Sequence, residues 1–140
     1  MSPDHIFSVV NFVALCTWLV LALFPRRRWA IHVAAGTAVP AVFAAAYIAI
    51  VAATFGRASG GFSSLPEVAA LFSNPWLLLA GWIHYLAFDL LVGAWEVRDA
   101  QRRNIPHLLV VPCLILTFMF GPAGWLLYVM LRTVWKAEYS

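Results

Sequence analysis

Apolar residues in this chain come in long runs rather than in alternation. His5 to Phe24 forms the first run and Pro25 stops it; Trp29 to Thr54 forms the second, interrupted only by Pro40. A helix needs about 20 mainly apolar residues to cross the hydrocarbon of a bilayer, so the pattern predicts spans over 5–24 and 29–54. A proline inside such a helix bends it without ending it. In the second run Ala34, Ala38, Ala41, Ala45, Ala49 and Ala52 recur three or four residues apart. That spacing makes a smooth face on which another backbone can approach closely.

The polar stretch from Phe55 to Ser73 is the one long connection. Within it Ser64-Leu65-Pro66-Glu67 has the form of a capping box opening a short helix through Phe72, expected to lie at the membrane interface. Asn74-Pro75 supplies an N-cap and first turn for a third span over 75–97. The fourth run, 106–132, would be roughly 40 Å long as a helix, against roughly 30 Å of hydrocarbon. Gly121-Pro122-Ala123-Gly124 is where it should bend or break into two half-helices. The expected architecture is an all-α integral membrane four-helix bundle, a single transmembrane domain over 1–140 with its last helix kinked at Gly121-Pro122.

Composition agrees. Of 140 residues 64% are hydrophobic and only 11% charged, less than half the charge of an ordinary soluble domain, so no soluble catalytic domain is expected. The net charge of +3 is carried by short arginine clusters between apolar runs, not by a basic face with interleaved aromatics, which argues against nucleic acid. Arg26, Arg27 and Arg28 lie in one short loop and Arg98, Arg102 and Arg103 in another, against only Arg57 in the middle loop. Both short loops should therefore be cytoplasmic, with the N-terminus, the middle loop and the C-terminus outside and Arg132 and Lys136 just past the last span. No basic residue precedes the first run, the reverse of a signal peptide, so direct insertion as in a bacterial cytoplasmic membrane is expected. Trp29, Trp76, Trp95 and Trp135 near span ends suit interfacial belts. Cys16 and Cys113 lie far apart in apolar runs and read as buried free thiols, small hydrophobes in effect.

Against this background the stretch GWIHYLAFDLLVGAWEVRDAQRRNIPH, residues 81–107, gathers His84, Asp89, Glu96, Asp99 and His107. An ionisable group deep in a span costs several kcal/mol unless it faces the bundle interior with a partner. Tyr85, Asp89, Glu96 and Asp99 follow one helical stripe, with His84 one step round from it. Each group has a structural role open to it. Asp99 can pair with Arg102 or Arg103, Glu96 can snorkel to the headgroups, and His107 can cap the next helix. His84 can bond a backbone carbonyl as a core histidine, and Asp89 can lock a helix. Two chemical readings stand beside these. The carboxylates and histidines supply O and N ligands for a divalent metal, although no HExxH-type signature occurs. Alternatively they form a metal-free acid/base set, with Asp89 donating and a neutral His84 accepting.

GWIHYLAFDLLVG (81–93), then Asp99, then PHLLVVPCLILTFMFGPAGWLLY (106–128) resembles the abscisic-acid-deficient-four-like membrane proteins, whose plant members act in making neoxanthin from violaxanthin. The likeness rests on Trp82, Ile83, His84, Asp89, Asp99, His107, Pro112, Cys113, Leu114, Gly121 and Pro122. It departs at Ala94, where the family often has arginine, so that this chain either lacks that element of a polar network or supplies it from Arg98; Glu96 is a feature of this chain.

The resemblance implies isomerisation of an oxygenated carotenoid inside the membrane: an epoxide opens and a ring-adjacent proton is lost, giving an allene. It implies His84 and Asp89 as the acid/base pair, with Asp99 and His107 as a polar mouth; Trp82, Tyr85 and Glu96 are the candidate substrate contacts on the same helix. No nucleotide or flavin is expected because substrate and product are isomers, and a divalent metal stays open. The alternative is an accessory subunit that packs its alanine face against a larger photosynthetic or respiratory membrane complex. A metal-dependent membrane hydrolase is a third reading.

Overall fold

A computed structural model describes the backbone of residues 1–138 and the side chains of residues 1–135; the Lys136 side chain and the last two residues lie outside the described residues. The described chain is helical throughout, without a strand: α1 (Pro3–Leu23), a π-helical segment (Trp29–Ala38) continuous with α2 (Val39–Thr54), a short α3 (Leu65–Phe72), α4 (Pro75–Arg102), α5 (His107–Phe120) and α6 (Pro122–Glu138). Three rods are long and apolar enough to cross a membrane, namely Pro3–Leu23, Trp29–Arg57 and Pro75–Arg102.

The helix starts are built as the sequence predicts. Ser64 caps α3 by accepting from the Glu67 amide at 3.3 Å, and the Glu67 carboxylate accepts from the Ser63 amide at 3.1 Å. Asn74 caps α4 by accepting from the Trp76 and Leu77 amides at 2.9 and 3.4 Å. The second rod does not stop at Pro40. Its winding changes there instead, because a proline ring collides with the carbonyl four residues back in an α-helix, and the wider π winding just before it moves that carbonyl away.

Two expectations need correction. The third span does not end at Val97: α4 continues to Arg102, since Arg98, Asp99 and Gln101 are compatible with helix and simply carry it out of the apolar layer. More consequentially, 106–132 is not one kinked helix. Gly121 takes a left-handed φ of +43°, a conformation open to glycine, and the chain reverses there. A Cβ on Gly124 would fall 2.0 Å from the Thr117 nitrogen, which places α6 directly against α5. In a continuous helix those two residues would be separated by roughly 10 Å.

The direction of α6 follows from its partners. Gly121 lies beside Asp89 near the middle of α4, whereas Tyr128 and Arg132 reach Asp99, ten residues further along α4. α5 and α6 thus form a helical hairpin that enters the bundle from the α4–α5 loop and returns to the same end. At 14 residues, α5 is about 21 Å long, short of the roughly 30 Å hydrocarbon core. Among the described residues, three rods are long and apolar enough to span and the last two helices form a hairpin, where four spans with one kinked helix were expected.

The same end gathers the Arg26–Arg28 loop. The His107 ring lies 2.7 Å from the Ala22 carbonyl, and the Gln101 amide donates to the Pro25 carbonyl. The end of α6 consequently sits with the two arginine-bearing loops and opposite the start of α1, which corrects the expectation that both termini share a side. The alanine stripe stays outside the core, and Cys16, expected to be buried like Cys113, is exposed because its side of α1 faces away from the bundle. Ala38, Ala41, Ala45, Ala49 and Ala52 are exposed, and the core of the bundle is built around α4, which buries Leu79, Ile83, Leu86, Leu90, Ala94 and Val97.

The hairpin makes a topological prediction. In a variant with Cys16 and Cys113 replaced by alanine, cysteines introduced by Arg102→Cys and Thr133→Cys should react with a membrane-impermeant maleimide from one side of sealed vesicles, and Ser2→Cys from the other. Labelling of Ser2→Cys and Thr133→Cys from the same side would restore the kinked fourth span.

Candidate functional site

The stripe predicted on α4 exists, and the hairpin lies against it. It carries three polar tiers that follow one another along the helix. At the first, Asp89 is buried beside the hairpin tip: a Cβ on Gly121 would lie 2.9 Å from its Oδ1, and its Oδ2 has no hydrogen-bond partner. The carboxyl also faces the N-terminal end of α6, where unpaired amides concentrate partial positive charge. One turn away the Tyr85 hydroxyl donates to the Met119 carbonyl at 3.1 Å, and Tyr85 and Asp89 interact electrostatically.

At the second tier Glu96 is fully buried. The Thr117 hydroxyl lies 2.9 and 3.1 Å from its two carboxyl oxygens and 2.9 Å from the Cys113 carbonyl. A hydroxyl has one proton to give. The geometry closes when Glu96 carries a proton and donates to Thr117, which in turn donates to Cys113. Glu96 therefore does not snorkel to the headgroups; Thr117, the lone hydroxyl residue in the apolar run of α5, holds it inside.

The third tier is charged. Asp99 Oδ2 accepts from Arg103 Nε at 2.9 Å and from the Tyr128 hydroxyl at 2.7 Å, with Arg132 Nε at 3.3 Å. The Arg132 guanidinium stacks 5.4 Å over Trp95, whose ring meets Tyr128 edge-on. Asp99 thus pairs with Arg103 rather than Arg102, and Trp95 belongs to this cluster rather than to an interfacial belt. Arg98 takes no part in it. Thr117, Tyr128 and Arg132 were not predicted as site residues. Thr117 had a signal, as the hydroxyl of an apolar run; Tyr128 and Arg132 had none without the hairpin.

The remaining predicted residues lie elsewhere. His84 is exposed on another face of α4, between the rings of Tyr47 and Phe88 at 5.6 and 4.8 Å, and is neither a core histidine nor beside Asp89. His107 ties the start of α5 to the end of α1, as a link between helices rather than as part of a mouth with Asp99. Trp82 donates to Asn11 at 2.8 Å and stacks on Tyr85. No three His, Cys, Asp or Glu side chains come together in a metal-binding arrangement among the described residues.

Two apolar clefts flank α4 at the end away from the arginines. One, of about 620 Å³, is lined by Phe7, Phe72, Leu78, Trp82 and Tyr85 among others. The second, of about 470 Å³, is lined by Tyr47, Phe55, Phe62, Leu77 and His84 among others. Phe72 of α3 lines both, standing against Gly81 between them.

The model of the ABA4-like family, ABA DEFICIENT 4-like, matches residues 5–128. The chain belongs to this family. No curated protein and no solved structure matches it. The ABA4-like segment holds His84, Asp89, Glu96, Asp99, His107 and the Gly121-Pro122 turn, and it ends at Tyr128, so Arg132 lies beyond it.

The second tier can be tested by stability. Glu96→Gln keeps a neutral side chain with a donor and should unfold in detergent close to the parent protein. Glu96→Ala leaves both a cavity and an unsatisfied Thr117, and should lose about 2 kcal/mol or more. Equal loss in both variants would contradict a protonated Glu96.

Proposed function

We propose that this ABA4-like protein binds an isoprenoid lipid of the oxygenated carotenoid type within the membrane and isomerises it at Asp89. The observation that carries the reading is the buried Asp89 oxygen left without a hydrogen-bond partner. Unpartnered buried polar atoms are expensive, more so in hydrocarbon, and are kept where a ligand completes them. Tyr85 interacts with this carboxyl and also lines the larger apolar cleft, which offers a long hydrocarbon chain a wall of aromatic and aliphatic side chains with few polar groups.

The chemistry implied by the family resemblance balances on this set without His84. Opening an epoxide to an alcohol takes up one proton at oxygen, and forming the allene releases one from carbon. A neutral carboxylic acid has one donor and one acceptor oxygen. Asp89 can give its proton to the epoxide oxygen and take the carbon-bound proton on its other oxygen, ending as it began, while the Tyr85 hydroxyl, whose own proton goes to Met119, can accept from the alcohol that forms. Positioned proton transfer of this kind contributes typically 10²- to 10⁴-fold. Trp82, held by Asn11, and Phe72 shape the cleft wall beside Tyr85.

Orientation belongs to the same reading. With the hairpin folded back, Arg26, Arg27, Arg28, Arg98, Arg102, Arg103 and Arg132 share one end and Arg57 lies at the other. The positive-inside tendency then puts the arginine end in the cytoplasm and the apolar clefts in the outer half of a membrane such as a bacterial cytoplasmic one.

The exposed alanine stripe supports a second reading, in which the protein packs that face against a larger membrane complex. The two separate by substitution. Pigments and lipids extracted from gently purified protein should include an isoprenoid that is lost or left unconverted in Asp89→Asn and retained in Ala41→Leu/Ala45→Leu. Loss of co-purifying membrane proteins in the alanine variant, with no bound isoprenoid in either, would favour the accessory role. Because His84 is remote from Asp89, His84→Gln should lower conversion far less than Asp89→Asn does.

A further inference from the structure

The arginine end contains a second polar site that neither the three tiers nor the apolar clefts use. We propose that Arg98, with His32 and Arg102, binds a phosphate group there, and that the phosphate belongs to a lipid headgroup. A cavity of about 280 Å³ between the π-helical segment and α4 is lined by His32, Arg98, Gln101 and Arg102. Its lining therefore carries two guanidinium groups, an imidazole and an amide, and no acid.

Three observations make this more than a charged surface. First, among the described residues the acids of this end are already engaged: Glu96 with Thr117, and Asp99 with Arg103, Arg132 and Tyr128. Among the described residues no carboxylate pairs with Arg98 or Arg102. Second, the Arg98 guanidinium is seated rather than free. It lies over Gly36, where an added Cβ would come within 2.8 Å of its Nη1, so the missing side chain of Gly36 is what lets the guanidinium rest on the π-helical segment. Third, Gln101 is fixed by its amide donating to the Pro25 carbonyl, which ties the floor of the cavity to the Arg26–Arg28 loop. A planar guanidinium held in place with no acid partner suits bidentate recognition of a phosphate.

The surroundings favour a lipid as the source. Trp29 and Val33, on the same segment as His32, are 54% and 55% exposed, and in a bilayer they offer an apolar track beside the cavity for acyl chains. The opposite end has only Arg57. This site is independent of the isoprenoid reading, since it lies at the other end of α4 from the apolar clefts.

The test uses the full-length protein in a mild uncharged detergent, titrated with phosphatidylglycerol, phosphatidylcholine or inorganic phosphate and read by native mass spectrometry. One phosphatidylglycerol should be retained in preference to phosphatidylcholine, and millimolar inorganic phosphate should not displace it. Arg98→Gln and Arg98→Lys should each weaken retention about tenfold or more, the second because it keeps the charge but loses the fork. Arg57→Gln should leave it unchanged, and all three variants should keep the parent melting temperature and the parent isoprenoid content. Displacement by inorganic phosphate would overturn the lipid source. Equal retention in Arg98→Gln, Arg98→Lys and the parent, or equal loss in Arg57→Gln, would overturn the site.

Discussion

A backbone that reverses direction inside an apolar bundle has to satisfy its polar groups within the protein, and the rest of this structure is arranged around that requirement. The tip at Gly121 meets it with a left-handed residue, with the Gly121 amide donating to Thr117, and with the Gly121 carbonyl accepting from the Gly124 and Trp125 amides. Pro122 opens α6 without an amide to satisfy. What remains is the positive end of α6, and it is Asp89 on α4 that faces it. The same geometry requires Gly124, because any side chain there would drive the two arms of the hairpin apart. A re-entrant turn, two glycines, a proline and one buried carboxyl thus form a single solution to one physical problem.

That solution explains why the polar tiers lie on α4 in this order. The hairpin presents its tip to Asp89, its first arm to Glu96 through Thr117, and its second arm to Asp99 through Tyr128 and Arg132. Protonated or hydrogen-bonded groups occupy the deeper levels, and the true ion pairs are kept for the end where α4 leaves the apolar layer. Burial of an ion pair rarely repays its desolvation, so a gradient from neutral contacts to charged ones is the arrangement that costs least. Only Asp89 departs from it, with one oxygen unsatisfied at depth.

Much of this was legible in the sequence. The apolar runs marked the three long rods, although α4 runs five residues past the predicted end, and Ser64 and Asn74 marked the starts of α3 and α4 because short-range capping depends on a few neighbouring residues alone. The stripe Tyr85, Asp89, Glu96 and Asp99 was legible for the same reason: helical period is local. The hairpin was not, since Gly121-Pro122 is compatible with a kink, a break or a reversal, and only the packing of Gly124 on Thr117 selects the third. His84, which the resemblance pairs with Asp89, is not in contact with it. Five residues along a helix turn the side chain about 140° away, which puts His84 towards Tyr47 while Asp89 faces the hairpin.

The position of Arg98 extends that argument to the question of charge. The resemblance suggested that a cation near Ala94 was either missing from this chain or supplied by Arg98. Ala94 is fully buried, so an arginine in its place would have to make room within the bundle, whereas the Asp99 carboxylate already has Arg103 and Arg132 beside it. Arg132 comes from the segment beyond the family match and reaches Asp99 only because α6 turns back. The cation that a single continuous helix would have carried away from the site is returned to it by the hairpin. Arg98 is thereby released to the π-helical segment and Gly36, on a different side of α4 from the tiers it was expected to complete.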